Sequence, residues 1–285
     1  MFASVALTRR IEAAEAALTL NVGRHIAQRH SDTVARAIGG GVAVHTGQSS
    51  PMDKVIGLGF EAFEGSALSD FVAFEESVLA RGGFVQVELA TRADPSVARA
   101  LAQRGYSLVG FEDVLGIDLA SAARADARTS ATEVAPATAD EVDTWIDVVA
   151  TAFAHADVGD GPESHESFPR ASVERAMRDM LALPDFTCYL ARLDGSVVGG
   201  ASLRTDREQR VAQFTGAATL PNARRRGVQS ALLRARLAAA RTSGAEIAVI
   251  TTRPGSKSQE NALGSGFSLL YSRAVLLKTA VVQER

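Results

Sequence analysis

The stretch that decides the reading of this chain is Ala223-Arg-Arg-Arg-Gly-Val-Gln-Ser-Ala-Leu-Leu233, three consecutive arginines set against a glycine and followed at once by an apolar run. Two explanations compete for it. One is a solvated basic helix end; the other is a seat for a phosphate group. Upstream, Gln213 to Leu220 reads as a strand whose pairing Pro221 ends. Downstream, Val228, Leu232, Leu233, Leu237 and Ala240 recur on one side of a helix that Gly244 stops. Arg224 to Gly227 therefore occupies a strand-to-helix turn. The first turn of a helix has amide hydrogens without intrahelical partners, and its aligned peptide dipoles make it positive. A glycine there lets an anion approach the backbone, and arginines add complementary charge.

Working outward, the 285 residues are enough for two domains, each with its own core. Hydrophobic residues make up 46% and charged residues 22%, ordinary for a globular protein. The net charge of -3, from 30 Lys+Arg against 33 Asp+Glu, is not that of a chain built to neutralise nucleic-acid phosphates. The one cysteine, Cys188, lies in an alternating apolar stretch and reads as a small buried hydrophobe. No signal peptide or spanning segment is apparent, so a cytoplasmic protein acting on neither membrane nor nucleic acid is expected.

Composition shifts at 120–132, small and charged residues without periodicity, which marks a linker between domains at 1–119 and 133–285. Both sides alternate helical and strand-like patterns, the mark of mixed α/β sheets. In the first half a helix is expected over Arg10–His30, strands around Gly39–Gly47 and Lys54–Phe60, and a helix over Leu68–Gly83. A strand at Phe84–Thr91, a helix at Asp94–Gly105 and a strand at Tyr106–Ile117 complete it. At a fixed offset of 161 residues, Gly83 meets Gly244 and Gly105 meets Gly266. Thr91-Arg92 meets Thr252-Arg253, and Ser107-Leu108 meets Ser268-Leu269. Agreement at glycine, polar and apolar positions together favours a duplicated fold over two merely similar units. The copies differ where it matters: the first has Glu61, Glu64 and Asp70 near the turn that holds arginines in the second. Acidic side chains repel a diphosphate, so function is sought in the second half.

The second half resembles the GNAT family of acetyl-CoA-dependent N-acetyltransferases, whose signature Arg/Gln-x-x-Gly-x-Gly/Ala is matched by Arg224-Arg-Arg-Gly227-Val-Gln229 after Pro221. Gln229 stands where the family has glycine or alanine. The stretches Thr132–Phe153, Phe186–Arg204 and Ala248–Leu276 look like the family's opening strand and helix, its central hairpin with the Asp194-Gly195 turn, and its closing strand, helix and strand. The whole thus looks like a tandem GNAT protein, an α/β mixed-sheet fold with a first copy that lacks the CoA motif.

The resemblance implies that the amides of Arg224, Arg225, Arg226, Gly227, Val228 and Gln229, with Ser230, hold the CoA pyrophosphate. It implies that the backbone of Ala217, Ala218 and Thr219 pairs with the pantetheine arm, and that Ser258 and Asn261 line its other side. The last two read equally well as solvated helix polarity. Acetyl-CoA is then the co-substrate, no metal is involved, and the acceptor is a small-molecule amine attacking directly in a ternary complex. A non-catalytic CoA-binding or regulatory module is the rival reading. The family's acid tyrosine is replaced by Ala262, leaving Tyr271 or Ser258 as substitutes, or a thiolate that departs unaided. His165 and Glu166, in the polar stretch His155–Arg170, are the candidates for relaying the amine's proton, and that stretch reads as well as an acidic surface loop. An acyl group larger than acetyl and a homodimer are further possibilities. His25, His30 and His45 show no metal-like spacing and are expected on the surface.

Overall fold

The computed structural model describes residues 3–47, 50–121, 131–155 and 168–280. Along the chain the first half gives α1 (Val5–Ala27), β1 (Val34–Ile38), β2 (Gly41–His45), β3 (Lys54–Ile56), α2 (Ser66–Leu79), β4 (Phe84–Ala90), α3 (Pro95–Gln103) and β5 (Ser107–Asp118). The second gives β6 (Thr132–Pro136), α4 (Val142–Ala154), α5 (Arg170–Leu181), β7 (Phe186–Leu193), β8 (Ser196–Asp206), β9 (Val211–Thr219), α6 (Val228–Thr242), β10 (Ile247–Thr252), α7 (Lys257–Gly264) and β11 (Ser268–Thr279). The elements expected from the first half are present. β1 is an addition: only Ile38 of its five residues is buried, so it has no apolar period to read.

Local chemistry sets the boundaries. Ser4 caps α1 by accepting from the Leu7 amide at 3.1 Å, and Asp94 caps α3 by accepting from Ser96 at 2.8 Å, with Pro95 at the first helical position. Asp194 and Gly195 both have positive φ, 52° and 78°, the signature of a two-residue hairpin turn joining β7 to β8.

Two compact units result. The N-terminal unit is built chiefly from Ala3–Glu112 and Tyr271–Arg285, the C-terminal unit from Asp113–Pro162 and Val173–Leu270. Strands β5 and β11 each begin in one unit and end in the other. The N-terminal unit's strands run in the order β1-β2-β3-β4-β11, and the C-terminal unit's β5-β10-β9-β8-β7-β6. Each contains one parallel pair, β3 with β4 and β9 with β10, flanked by antiparallel ladders. The last rung of that parallel pair is Glu88 opposite Ile56 in one unit and Val249 opposite Gln213 in the other; Glu88 and Val249 keep the 161-residue offset, whereas Ile56 and Gln213 are 157 apart. The left-handed glycines after α3 and α7, Gly105 and Gly266, keep the same spacing. After α2 the left-handed glycine is Gly82 rather than Gly83, a slip of one residue against Gly244.

The N-terminal core packs Phe63, Phe71, Phe74, Val87, Val97 and Leu101 between sheet and helices. It also buries charge. Arg273 and Glu12, each 1% exposed in their side chains, pair at 2.8 Å, and Lys54 reaches Glu88 at 3.2 Å and Glu15 at 3.3 Å. His45, expected at the surface, is instead buried, because all five residues of β2 are covered. The C-terminal sheet carries α4 on one face through Trp145, Ile146 and Val149, and α6 on the other through Val228, Leu232, Leu233 and Leu237. Cys188 is buried beside Trp145, as its apolar neighbours predict, and burial pushes its thiol up to about 12.

Candidate functional site

Strand β9 divides from its parallel neighbour partway along its length. Pairing with β10 runs from Val211 opposite Ile247 to Gln213 opposite Val249 and goes no further. Beyond that point β10 continues against β5 as far as Thr252, whereas β9 continues only against β8, as far as Thr219. The chain therefore forks, and the β10-facing edge of the far part of β9 is left without a ladder. A bulge lies in the same part. Gly200 faces Ala218 and Ser202 faces Thr215, so Gly216 and Ala217 together oppose the single residue Ala201. Gly216 takes φ 57°, a left-handed conformation that opens two-on-one bulges of this kind. Thr215, Gly216 and Ala217 are half-buried, and Ala218 and Thr219 are buried.

From the end of β9 the chain enters a short 3-10 turn, Pro221–Ala223, and then the arginine run. Arg224 is extended, Arg225 is left-handed at φ 61°, and Gly227 is left-handed at φ 82° as the N-cap of α6, with no side chain capping the helix. Left-handed residues in such a turn gather successive amide hydrogens toward one point, a concavity suited to an anion. A methyl group placed on Gly227 meets no atom within 4 Å. Glycine is favoured there by its φ rather than by crowding.

The candidate residues sort by their neighbours. The Arg224 guanidinium donates to the carbonyl of His155, at the end of α4. Arg226 pairs with Asp194 at 3.3 Å on the surface. Arg225 is exposed and has no partner among the described residues. Gln229 donates from Nε2 to Thr219 Oγ1 at 2.9 Å, tying the first turn of α6 to the end of β9. Val228 is buried and Ser230 exposed at the helix start. The structure thus assembles residues 217–219 and 224–230 on one continuous strand, turn and helix. Ser258, exposed, and Asn261, half-buried, lie on α7 after the other arm of the fork. Their loop is pinned by Gln259, which accepts from the Gly255 amide at 2.7 Å and donates to Asp113 at 2.6 Å.

The proposed proton-transfer groups are not gathered in the same way. His165 and Glu166 lie outside the described residues. Tyr271 belongs to the N-terminal unit, where it is 4% exposed and its hydroxyl donates to Glu12 Oε1 at 2.6 Å. That hydroxyl is committed, and burial beside Glu12 raises its pKa well above the usual value. Ala262 is buried in the core of the C-terminal unit. The N-terminal counterpart of the turn holds no comparable cation: Glu61, ahead of α2, pairs with Arg9 at 3.0 Å. Sequence reasoning missed Arg236 and Trp145, whose polar atoms reach the backbone around the bulge (Ser202, Thr215 and Ala201). An arginine in line with the apolar stripe of α6 was the available signal.

Among the described residues no cluster of three or more His, Cys, Asp or Glu side chains is placed to hold a metal, and no helix is long and apolar enough to cross a membrane. Residues 154–262 match the family model "Acetyltransferase (GNAT) family". No curated protein matches the chain. Among solved structures, a GCN5-related N-acetyltransferase from Kribbella flavida is 17% identical with a TM-score of 0.63, over 94% of this chain and 95% of that one. A tandem GNAT protein from the clavulanic acid biosynthesis pathway is 14% identical with a TM-score of 0.63, over 92% and 89%. A GCN5-related N-acetyltransferase from Sphaerobacter thermophilus is 15% identical with a TM-score of 0.56, over 76% and 70%. The fork, the bulge and the arginine turn all lie inside the segment that matches this family model, in a chain that has the tandem GNAT fold.

Proposed function

We propose that the C-terminal unit transfers an acetyl group from acetyl-CoA to the amine of a small-molecule acceptor, by direct attack with both substrates bound, and that the N-terminal unit serves as scaffold. One observation carries this reading: a strand with an open backbone edge leads, through a short turn, to a helix start at Gly227 that no side chain caps. A CoA molecule needs both features, a ladder edge for its amide-bearing arm and a positive cradle for its pyrophosphate. The residues present fit those needs. The amides of Arg225 to Gln229 are the cradle, Arg225 supplies a cation beside it, and the backbone of Ala217–Thr219 is the edge.

Acetyl-CoA supplies the activated acyl group as a thioester. The chain's own part is to bind and orient it, with fixed backbone donors doing the work that mobile water would otherwise do. Tyr271 is held by Glu12 and position 262 is an alanine, which favours departure of the sulfur without a tyrosine acid. A thiol, with a pKa near 8.5, departs as thiolate without assistance at neutral pH. The same two facts favour a second reading, a CoA-binding module without turnover.

Titration calorimetry with CoA, followed by release of free thiol from acetyl-CoA across a panel of primary amines, tests the proposal. Binding together with amine-dependent release is expected. Binding without release assigns the second reading, and no binding removes both.

A further inference from the structure

Arg236 is an arginine in the wrong kind of place. It sits in the third turn of α6, 1% exposed, within the apolar core of the C-terminal unit. Among the described residues no carboxylate pairs with it. Its guanidinium lies over the ring of Phe214, 4.7 Å from the centroid, and burial pushes its pKa down to about 9, as expected of a cation without a counter-ion. A methionine or leucine would fill the same space without the cost of desolvating a charge.

What the guanidinium does have is carbonyl oxygens. Nη1 donates to Ser202 O at 3.2 Å and to Thr215 O at 3.4 Å, and Nε to Leu232 O at 3.3 Å. Ser202 and Thr215 are the facing pair at which β8 and β9 come back into register beside the bulge. Two further side chains converge there. Ser202 Oγ donates to Thr215 O at 3.1 Å, and Trp145 Nε1, on α4, donates to Ala201 O at 3.1 Å. The one irregularity in the β8–β9 ladder is therefore held by side-chain donors from two helices.

We propose that Arg236 is a positioning residue for the acyl donor: it fixes the bulge of β9, and through it the backbone of Ala217–Thr219 along which the pantetheine arm is to lie. This rests on the CoA-dependent reading of the C-terminal unit. Arg236 itself touches no reacting atom. It acts on the strand, and its influence ends short of the pyrophosphate cradle, which is formed by the separate turn at Gly227.

That separation gives the test. ADP carries a pyrophosphate and no pantetheine arm; CoA carries both. In full-length protein, Arg236→Met is expected to weaken CoA binding by about tenfold and to raise the KM for acetyl-CoA, while ADP affinity stays within about twofold. Arg236→Gln, which keeps an amide donor without the charge, is expected to recover part of the loss. Thermal melts check that each variant is folded. CoA affinity and KM equal to wild type in either folded variant overturn the proposal, as does an equal loss of ADP and CoA binding. Should Arg236→Met fail to fold, Arg236→Gln alone decides between these outcomes. Failure of the wild-type protein to bind CoA at all defeats the parent reading, and is distinct from any of these because it is seen without a substitution.

Discussion

Arg273 and Glu12 stand 261 residues apart in the chain and 2.8 Å apart in the N-terminal unit, each 1% exposed in its side chain. The pair docks the last strand, β11, against the first helix, α1. It does not stand alone: Tyr271 donates to the same Glu12 oxygen, and Arg273 also lies 3.6 Å from Glu88 and 3.4 Å from Glu112. The N-terminal unit is thus completed by residues that arrive at the end of the sequence.

Removing Arg273 leaves Glu12 and Glu88 buried with less compensation, a change that costs roughly 3–5 kcal/mol in comparable buried pairs. Arg273→Met is therefore expected to lower the urea midpoint of the N-terminal unit far more than a surface substitution such as Arg9→Met, whose partner Glu61 is exposed. Denaturation followed by hydrogen exchange, read separately in β4 and in β9, checks this. Equal midpoints for the two variants would show that the buried pair holds nothing together.

Gly227 gives a second expectation, with stability and binding pulling apart. An alanine there meets no atom within 4 Å, so only its left-handed φ of 82° is penalised, about 1–2 kcal/mol. A glutamate adds a negative charge to the cradle itself. Gly227→Ala is expected to keep measurable CoA binding and Gly227→Glu to abolish it, with similar melting temperatures for both. Gln229→Ala supplies the control. Its side-chain amide is held on Thr219 Oγ1 and its backbone amide is kept in the variant, so the loss should change CoA affinity by less than about fivefold, under 1 kcal/mol. Calorimetry on the three variants reads all of this directly.

How much of this was legible follows from which interactions are local. The arginine turn, the Asp194-Gly195 hairpin and the Asp94 cap are each written within a few adjacent residues, and each appears where the residues place it. The repeat at offset 161 was legible as well, because it depends on comparing positions and not on folding them. What lay hidden depends on long-range pairing. Nothing near Tyr271 announces that its hydroxyl will meet Glu12, and nothing near His45 announces that β2 is covered on both faces. Arg236 is the middle case. Its position in the stripe of α6 was visible, but the carbonyls that need it belong to β8 and β9.

Cys188 bears on how turnover is to be measured. Burial pushes its pKa up to about 12, and a thiol is nucleophilic only as thiolate. The folded protein is expected to give no reaction with a disulfide reagent at neutral pH, and one equivalent after denaturation. Thiol released from acetyl-CoA can then be followed against a flat background. Rapid labelling of the native protein would show that β7 opens readily at this point.

His45 sets the pH response of the N-terminal unit. It is buried on β2, its Nδ1 lies 4.0 Å from Asp53, and that nitrogen has no hydrogen-bond partner among the described residues. Burial lowers its pKa below the ordinary 6.5, against the pull of the Asp53 carboxylate and with help from the nearby Arg81. The folded unit therefore favours the neutral ring, and the unfolded chain takes up the proton first as pH falls. The stability this contributes is present in full above about pH 6.5 and is lost as pH drops through the lower, folded-state pKa. Carboxylates of the same unit also titrate, Glu75 with a lowered pKa and Glu12 with a raised one, so the informative quantity is a difference. Urea midpoints of wild type and His45→Gln, taken between about pH 4.5 and 8, are expected to diverge most at neutral pH and to draw together toward the acid end. Parallel curves would mean that the ring gains its proton as easily folded as unfolded, and that its burial on β2 exacts no electrostatic penalty.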